Sequence, residues 1–304
     1  MGKLVRSISA DGSAVSMAVD STDIVREMKR CQNTSATASA ALGRLLTAAA
    51  LIGATEKQAS DSVTLRIDGG GPIGKLIAVS DGLSNVRGYC DNPQADVPVK
   101  RPGKLDVGGL VGKNGTLSVI TDMGLKEPYT GSIPLVSGEI AEDITQYFAV
   151  SQQTPTVCAL GVLVDTDLSI ICAGGFMVQL LPGAPERVIS AIEQNIKGMS
   201  APTSLFKKGM TPKDISLMAL SGLNPNVLDE STAAFKCTCS RKKMADVLRS
   251  LGTKELEDMA KEGSAEVVCE FCKKKYMFTP EELRKLEKKS EQDEKYKGGD
   301  QTNA

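Results

Sequence analysis

The sequence contains no histidine and no tryptophan among its 304 residues, and aromatic residues make up only 4% of it. Without histidine, the chain cannot assemble a Ser-His-Asp or Cys-His catalytic centre. It also lacks imidazole ligands, so any zinc site must be built from cysteine or carboxylate. Hydrolases and dehydrogenases that depend on imidazole are therefore excluded.

An excess of charge of one sign is also missing, because 36 Lys and Arg residues offset 37 Asp and Glu residues to a net charge of −1. Proteins dedicated to nucleic acids or membrane surfaces are usually strongly basic. The longest apolar run, around residues 45–54, is shorter than the roughly 18 residues of a membrane span. The N-terminus has no apolar signal region. These absences predict a cytoplasmic protein that binds neither nucleic acid nor membrane, with its eight cysteines reduced at rest.

Hydrophobic residues make up 41% of the chain, which is typical of globular proteins. Residues 1–181 alternate short strands with a few helices and show no regular βαβ rhythm. This pattern predicts an α+β domain with antiparallel sheets. Its predicted elements are hairpins around Asp11-Gly12 and Asn114-Gly115, helices over 37–55 and 138–150, and a closing hairpin over 157–181.

Residues 182–232 are predicted to form a linker of short helices after the break at residues 182–185, Pro-Gly-Ala-Pro. Thr211 followed by Pro212 is a helix start signal. The predicted apolar face of this helix consists of Ile215, Leu217, Met218 and Leu220. Helices this short are marginal in isolation, so the linker should depend on its neighbours.

Residues 233–289 are predicted to form a small third unit, followed by a disordered tail over 290–304. Ser240 is expected to cap one helix, and a second short helix should end near Gly263. Residues 265–269 and 275–278 have the pattern of a two-stranded ribbon, and Thr279 begins a capping-box sequence.

Four cysteines are clustered in this third unit as a CxC pair, Cys237 and Cys239, and a CxxC pair, Cys269 and Cys272. Two such pairs can close a Cys₄ zinc site, and a unit this small needs a metal or disulfides. We predict one Zn²⁺ per chain. In small zinc modules, bound zinc contributes about 10–16 kcal/mol of folding free energy. A purely structural zinc site is the simpler interpretation.

The sharper interpretation is a redox switch, because the two thiols of each pair can also close on each other. An oxidant could then convert one zinc site into two local disulfides and unfold the unit. Basic residues flank the cysteines, namely Lys236, Arg241, Lys242, Lys243 and residues 273–275. They either offset the net charge of a Zn(Cys)₄ centre or form an ordinary solvated face.

The CxC pair, the gap of about 29 residues and the CxxC pair resemble the redox-regulated chaperones of the heat-shock protein 33 family. The stretches over residues 143–151, 153–155, 174–183 and 237–241 also fit that family. The resemblance runs from the first strands to Phe278.

The resemblance implies an ATP-independent holdase that is inactive when reduced and zinc-bound. A holdase binds its clients and has no catalytic residues, so we expect that the protein is not an enzyme. Oxidation would release zinc, form the disulfides Cys237–Cys239 and Cys269–Cys272, and yield an active homodimer. The partners it implies are unfolded or oxidatively damaged client proteins under oxidative and heat stress.

Four residues of the linker are candidate client contacts, Met210, Leu217, Met218 and Leu220. Flexible Met and Leu side chains suit many partners once the linker opens. Ordinary core packing is the alternative, and both interpretations hold if these residues are buried in one state and exposed in the other.

Several weaker signals compete with this interpretation. Residues 69–74 match GxGxxG, but a strand follows them, which favours a hairpin loop over a dinucleotide site. Residues 108–113 resemble a P-loop with the wrong spacing. The lysines around the cysteines suggest a nucleic-acid-binding zinc ribbon, and the CxxC pair suggests a thiol oxidoreductase. The remaining cysteines are predicted to be structural, namely Cys31, Cys90, Cys158 and Cys172.

Overall fold

The computed structural model describes residues 1–101 and 103–287. The chain divides into two compact units, Met1–Lys236 and Cys237–Ala304. The strands of the first unit are β1 (Gly2–Ile8), β2 (Ala14–Asp20), β3 (Ser62–Asp68), β4 (Lys75–Asp81), β5 (Asn85–Cys90), β6 (Thr116–Asp122), β7 (Tyr129–Pro134), β8 (Thr156–Val164), β9 (Ile170–Leu180) and β10 (Asn226–Phe235). Its helices are α1 (Thr22–Gln32), α2 (Ala36–Gly53), α3 (Val107–Val111), α4 (Ala141–Val150), α5 (Glu186–Gly198), α6 (Pro202–Lys207) and α7 (Pro212–Ala219).

These ten strands form one sheet in the order β7-β6-β3-β4-β5-β10-β1-β2-β9-β8. Every pairing is antiparallel except that between β10 and β5, which is parallel and covers only Ala234 and Phe235. The short parallel pairing joins two antiparallel halves. The predicted α+β class with antiparallel strands is confirmed, and the hairpins over β1–β2 and β8–β9 lie where the turn signals placed them.

Helix α2 is the centre of the main hydrophobic core and contacts strands of both halves of the sheet. It has 18 residues and is apolar enough to cross a membrane by length and composition, although Arg44 interrupts it and the uninterrupted run over 45–54 is shorter. However, 89% of this helix is buried inside the protein. A buried core helix passes the same test of length and composition, so the helix is weak evidence for a membrane span.

The loop before α4 is organised by the buried carboxylate of Asp143. One of its oxygens accepts hydrogen bonds from the backbone N–H groups of Val136, Ser137 and Gly138 at 2.8, 3.1 and 3.4 Å. The other accepts from the N–H of Ile140 at 2.9 Å, where the backbone has a φ of 72°. A single acid therefore satisfies four backbone donors and holds a strained helix start.

The two glycine-rich segments, residues 69–74 and 108–113, pack against each other. The N–H of Gly71 donates to the carbonyl of Val111 at 3.0 Å, and the N–H of Asn114 donates to the carbonyl of Gly69 at 3.1 Å. A Cβ atom at Gly69 or Gly71 would collide with a carbonyl oxygen of the other segment. Close backbone contact explains these glycines, and the prediction of a hairpin loop at 69–74 is confirmed by the β3–β4 pairing.

The predicted hairpin at Asn114-Gly115 was wrong, because the element before this turn is helix α3 and not a strand. A Cβ atom at Gly115 would overlap the carbonyl of Asp68. The glycine is needed there for the close approach of the chain to the end of β3.

Helix α6 lies on strand β9, helix α7 lies on strand β2, and helix α5 packs against α7. The three helices share a second, smaller hydrophobic core with β2 and β9. The buried members of this linker core are Ala14, Ala18, Phe176, Val178, Val188, Ile192, Leu205, Ile215, Ala219 and Leu220. The predicted apolar face of α7 was partly wrong. The helix buries Ser216 and Ala219 beside Ile215, whereas Met218 is 37% exposed.

Strand β10 also differs from the prediction that residues up to 232 are helical. It pairs antiparallel with β1 from the Gly2–Ala233 pair to the Ile8–Asn226 pair. Because β1 would otherwise present an unpaired edge inside the sheet, this long-range pairing outweighs the local helical signals. The segment that lies on the sheet as helices therefore ends before residue 226.

The second unit contains α8 (Arg241–Arg249), α9 (Thr253–Glu262), β11 (Ala265–Val268) and β12 (Lys275–Phe278), and residues 280–287 are helical. The Ser240 hydroxyl caps α8 by accepting from the N–H of Lys243, as predicted. The predicted ribbon of β11 and β12 is confirmed. The predicted tail over 290–304 lies outside the described residues, and the division of the chain at residues 182, 233 and 290 remains a prediction.

Candidate metal centre

The four clustered cysteines come from two backbone segments of the second unit. Cys237 and Cys239 precede helix α8, and Cys269 and Cys272 lie in the turn that joins β11 to β12. In that turn the N–H of Cys269 donates to the carbonyl of Lys274 at 3.0 Å, and the N–H of Lys273 donates to the carbonyl of Cys269 at 2.8 Å. The ribbon therefore holds the CxxC pair in a fixed loop that faces the CxC pair.

The four sulfur atoms lie within 4.8 Å of one another. The Sγ atoms of Cys237 and Cys269 are 3.6 Å apart, and those of Cys239 and Cys272 are 3.5 Å apart. All four cysteines are free, since a disulfide requires a distance of about 2.05 Å. Tetrahedral zinc with Zn–S bonds of about 2.3 Å requires sulfurs roughly 3.8 Å apart. The donor set and its spacing fit a tetrahedral zinc ion.

Backbone and side-chain donors surround these sulfurs. The N–H of Cys239 donates to the Sγ of Cys237, and the N–H of Lys274 donates to the Sγ of Cys272. The Tyr276 hydroxyl lies 3.1 Å from the Sγ of Cys239. We did not predict a role for Tyr276 from the sequence, although its position on the buried face of the ribbon follows from strand alternation.

The environment shifts the pKa values of Cys237 and Cys272 in one direction and the pKa of Cys239 in the other. Burial raises the pKa of Cys237 and of Cys272. Burial also acts to raise the pKa of Cys239, but the hydrogen bonds from Tyr276 and from the neighbouring thiols lower it to about 7. The hydrogen bond to Cys239 in turn raises the pKa of Tyr276 to about 12. A metal ion requires all four cysteines as thiolates.

Several of the basic residues that flank the cysteines are held by acidic neighbours. Arg241 pairs with Glu282 at 2.8 Å and lies 4.5 Å from the centre of the Phe278 ring. Lys273 pairs with Glu270, and Lys275 pairs with Glu266. For these three residues, the ion pairs favour the solvated-face interpretation over a direct offset of the charge of a Zn(Cys)₄ centre.

The cysteines are part of the hydrophobic core of the second unit. Its buried members are Leu248, Leu256, Ala260, Cys269, Tyr276, Phe278 and Leu283. The other three cysteines of the cluster pack against this core. A core of this size is small for about fifty ordered residues, and units of this kind usually need a metal or disulfides.

The remaining cysteines lie in the first unit. Burial raises the pKa of Cys158 to about 12, and it raises the pKa of Cys31 and of Cys172. Cys90 is also buried. Raised pKa values reduce the thiolate fraction and hence the reactivity, which agrees with the predicted structural roles.

The four candidate client contacts lie in or beside the linker core, with graded burial. Leu220 is fully buried, Met210 and Leu217 are half-buried, and Met218 is 37% exposed. Their role as client contacts remains a prediction.

Comparison with known proteins identifies relatives along nearly the whole chain. The family model described as Hsp33 protein matches residues 2–279. The chain is 45% identical over 291 residues to the 33 kDa chaperonin of Clostridium acetobutylicum, covering 95% of this chain and 98% of that protein. It is 43% identical over 287 residues to the 33 kDa chaperonin of Bacillus subtilis, covering 94% and 98%.

A solved structure has the same fold. The crystal structure of the 33 kDa chaperonin, a heat shock protein 33 homologue, from Thermotoga maritima superimposes with a TM-score of 0.87 at 38% sequence identity. The match covers 94% of this chain and 97% of that one.

Proposed function

The chain belongs to the Hsp33 family of chaperones, and from this membership we propose that it is a redox-regulated, ATP-independent holdase. Its relatives carry the name chaperonin, which denotes a non-enzymatic family, so the protein is not an enzyme. The observation that carries the proposal is the cluster of four free cysteines, which fits a redox or metal switch in a unit with a small core.

In the reduced state, Cys237, Cys239, Cys269 and Cys272 hold one zinc ion. Zinc in such a site favours the thiolate form of its ligands and cross-links the two segments that supply them. The N–H donors of Cys239 and Lys274 support this state, because hydrogen bonds to sulfur stabilise thiolates. The reduced, zinc-bound protein is the inactive form.

Oxidation by a peroxide converts the four thiolates to two disulfides. In each pair, one thiolate attacks a peroxide oxygen, the O–O bond breaks, and a sulfenic acid and hydroxide form, the hydroxide taking a proton from the solvent. The second thiolate then attacks the sulfenic sulfur, the S–S bond forms, and hydroxide leaves and is protonated. Two peroxides thus accept four electrons in total. Disulfide sulfurs no longer bind zinc as thiolates do, so oxidation releases the ion.

We propose the pairings Cys237–Cys239 and Cys269–Cys272. In the folded unit, sulfur contacts of 3.6 and 3.5 Å join the two segments, but these cross-pairs are 32 and 33 residues apart in sequence. Once zinc leaves and the unit loosens, closing a loop of that length costs more entropy than closing a loop of one or two residues. Local pairs are then favoured.

The linker transmits this loss of structure. Helices α6 and α7 have only six and eight residues, too few to be stable away from the sheet. We propose that residues 182–225 leave the sheet when the second unit unfolds, as parts of one low-stability region. Their departure exposes the apolar residues of the linker core together with Met210, Leu217, Met218 and Leu220, which then bind unfolded or oxidatively damaged clients. The active form is a homodimer, and the protein acts in the cytoplasm.

The first test is light scattering from a chemically unfolded client protein without ATP. We compare the reduced, zinc-loaded chain with the same chain after peroxide treatment at elevated temperature. We expect suppression of scattering only after oxidation. A chromogenic chelator measures the zinc that is released at the same time. Equal suppression in both states would contradict the proposed redox switch. No suppression in either state would contradict the proposed holdase activity.

The buried hydroxyl of Ser216 provides a test of the linker. It lies 2.9 Å from the Ser7 hydroxyl and 3.1 Å from the carbonyl of Ser16, where α7 touches the sheet. Ser216→Leu should overpack this contact at a cost of about 1–3 kcal/mol and loosen α7 without an oxidant. We expect faster proteolysis within residues 182–225 and partial client binding in the reduced state.

The matched control is Ser190→Leu, which makes the same change at an exposed serine of helix α5. It should leave proteolysis and client binding at the wild-type level. If Ser216→Leu increases proteolysis but leaves the reduced chain unable to bind clients, release of the linker is not what activates the protein.

A further inference from the structure

We propose that Tyr276 is a positioning residue of the cysteine cluster, whose hydroxyl donates a hydrogen bond to the Sγ of Cys239 and thereby strengthens metal retention. The two groups are 3.1 Å apart. This inference rests on the proposed zinc switch and assigns part of its sensitivity to a residue that is not a ligand.

The ribbon fixes the position of the phenol ring. Tyr276 pairs with Val267 across β11 and β12, and strand alternation turns its side chain to the buried face. The ring is a member of the core of the second unit and is only 7% exposed. The Lys274 ammonium group lies 5.4 Å from the centre of the ring and covers it further. The hydroxyl therefore reaches Cys239 from a rigid support.

The contact differs from the others in the cluster because a side-chain substitution can remove it. Cys237 and Cys272 receive backbone N–H groups, which no substitution deletes without disturbing the chain. Tyr276→Phe takes away one oxygen atom and keeps the ring that fills the core.

The hydroxyl affects two properties of the bound thiolate. Four thiolates around one divalent ion carry a net charge of −2, and a donor to one sulfur reduces the repulsion among them. The same donor draws electron density from the sulfur and makes it a weaker nucleophile toward peroxide. Loss of the hydroxyl should thus weaken metal binding and speed peroxide-driven release.

The test compares Tyr276→Phe with the wild-type full chain in competition for zinc with a chromogenic chelator. We expect the dissociation constant to rise by roughly 10- to 100-fold, the usual effect of removing a hydrogen-bond partner of a metal ligand. With Co²⁺ in place of zinc, the sulfur-to-cobalt charge-transfer band should move to lower energy, because the sulfur that loses its donor is easier to oxidise.

Two controls separate the hydrogen bond from packing. Tyr129→Phe removes a hydroxyl from the exposed edge strand β7 and should change neither readout. Uniform replacement of tyrosine by 3-fluorotyrosine keeps the ring and makes its hydroxyl a stronger donor. It should therefore shift the cobalt band to higher energy, which also provides a test if Tyr276→Phe folds poorly.

The outcomes distinguish this inference from the zinc proposal. If the wild-type chain binds no metal, the zinc switch is wrong and this role of Tyr276 is wrong with it. If the wild-type chain binds metal and Tyr276→Phe has the same affinity and the same cobalt band, only the role of Tyr276 is overturned. Weaker binding with an unmoved band in both tyrosine replacements would show a packing effect and would also overturn it.

Discussion

Replacing Cys269 by serine is expected to abolish zinc retention and to unfold the second unit. Cys269 is the most buried of the four cysteines, with 4% exposure, and it belongs to the core of this unit. A serine hydroxyl does not replace a thiolate as a zinc ligand. In modules of this kind zinc contributes about 10–16 kcal/mol, so on the proposed zinc site we expect the small core to lose its fold when a ligand is removed.

The measurement combines zinc content after dialysis against a mild chelator with limited proteolysis of residues 237–287. We expect near-zero zinc and rapid cleavage for Cys269→Ser, and client binding that no longer depends on oxidant. The matched control is Cys31→Ser in helix α1, which should keep wild-type zinc and protection. If Cys269→Ser retains zinc and remains resistant to protease, the Cys₄ assignment is wrong.

The second large effect is expected at Asp143, whose carboxylate accepts hydrogen bonds from four backbone N–H groups of residues 136–140. In Asp143→Asn, an amide nitrogen that cannot accept a hydrogen bond replaces one of the two carboxylate oxygens. The protein therefore loses either the bond from Ile140 or the three bonds from residues 136–138. Each buried donor left without an acceptor costs about 1–3 kcal/mol. We expect a loss of about 3 kcal/mol, and a melting temperature lower by roughly 6–12 °C for a protein of this size.

The control is Glu142→Gln, which removes a charge from the same first turn of α4 at an exposed position. Thermal unfolding followed by circular dichroism should show a small change for Glu142→Gln and a large one for Asp143→Asn. Equal shifts for the two variants would mean that the charge of the helix start matters and the four bonds do not. Zinc content should stay at the wild-type level in both, because the two units fold around separate cores.

Elements marked by local signals could be predicted from the sequence. The β1–β2 hairpin, the β11–β12 ribbon and the Ser240 cap each depend on residues that are close together in the chain. Strand β10 could not be predicted in this way. Its partner β1 lies more than 200 residues away, and its alternating pattern is interrupted by exposed polar residues.

The buried face of helix α7 also could not be predicted from the sequence. Periodicity assigned Leu217 and Met218 to the buried side because they are large and apolar. The structure instead places Ser216 and Ala219 against the sheet, where small side chains allow the helix to approach closely. Which apolar stripe is buried was decided by the shape of the opposing strands, since steric fit and not hydrophobicity alone selects the contact.

The sequence by itself determined the family, the α+β class and the four cysteines of the candidate metal site. The spacing of these cysteines and the turn residues are local properties of the chain. Only the tertiary structure decided which groups surround the sulfurs. The contact of Tyr276 with Cys239, the four bonds to Asp143 and the strand that follows the linker all join residues through folding. Hydrogen bonds and burial depend on distances in space, and the order of residues along the chain does not specify those distances.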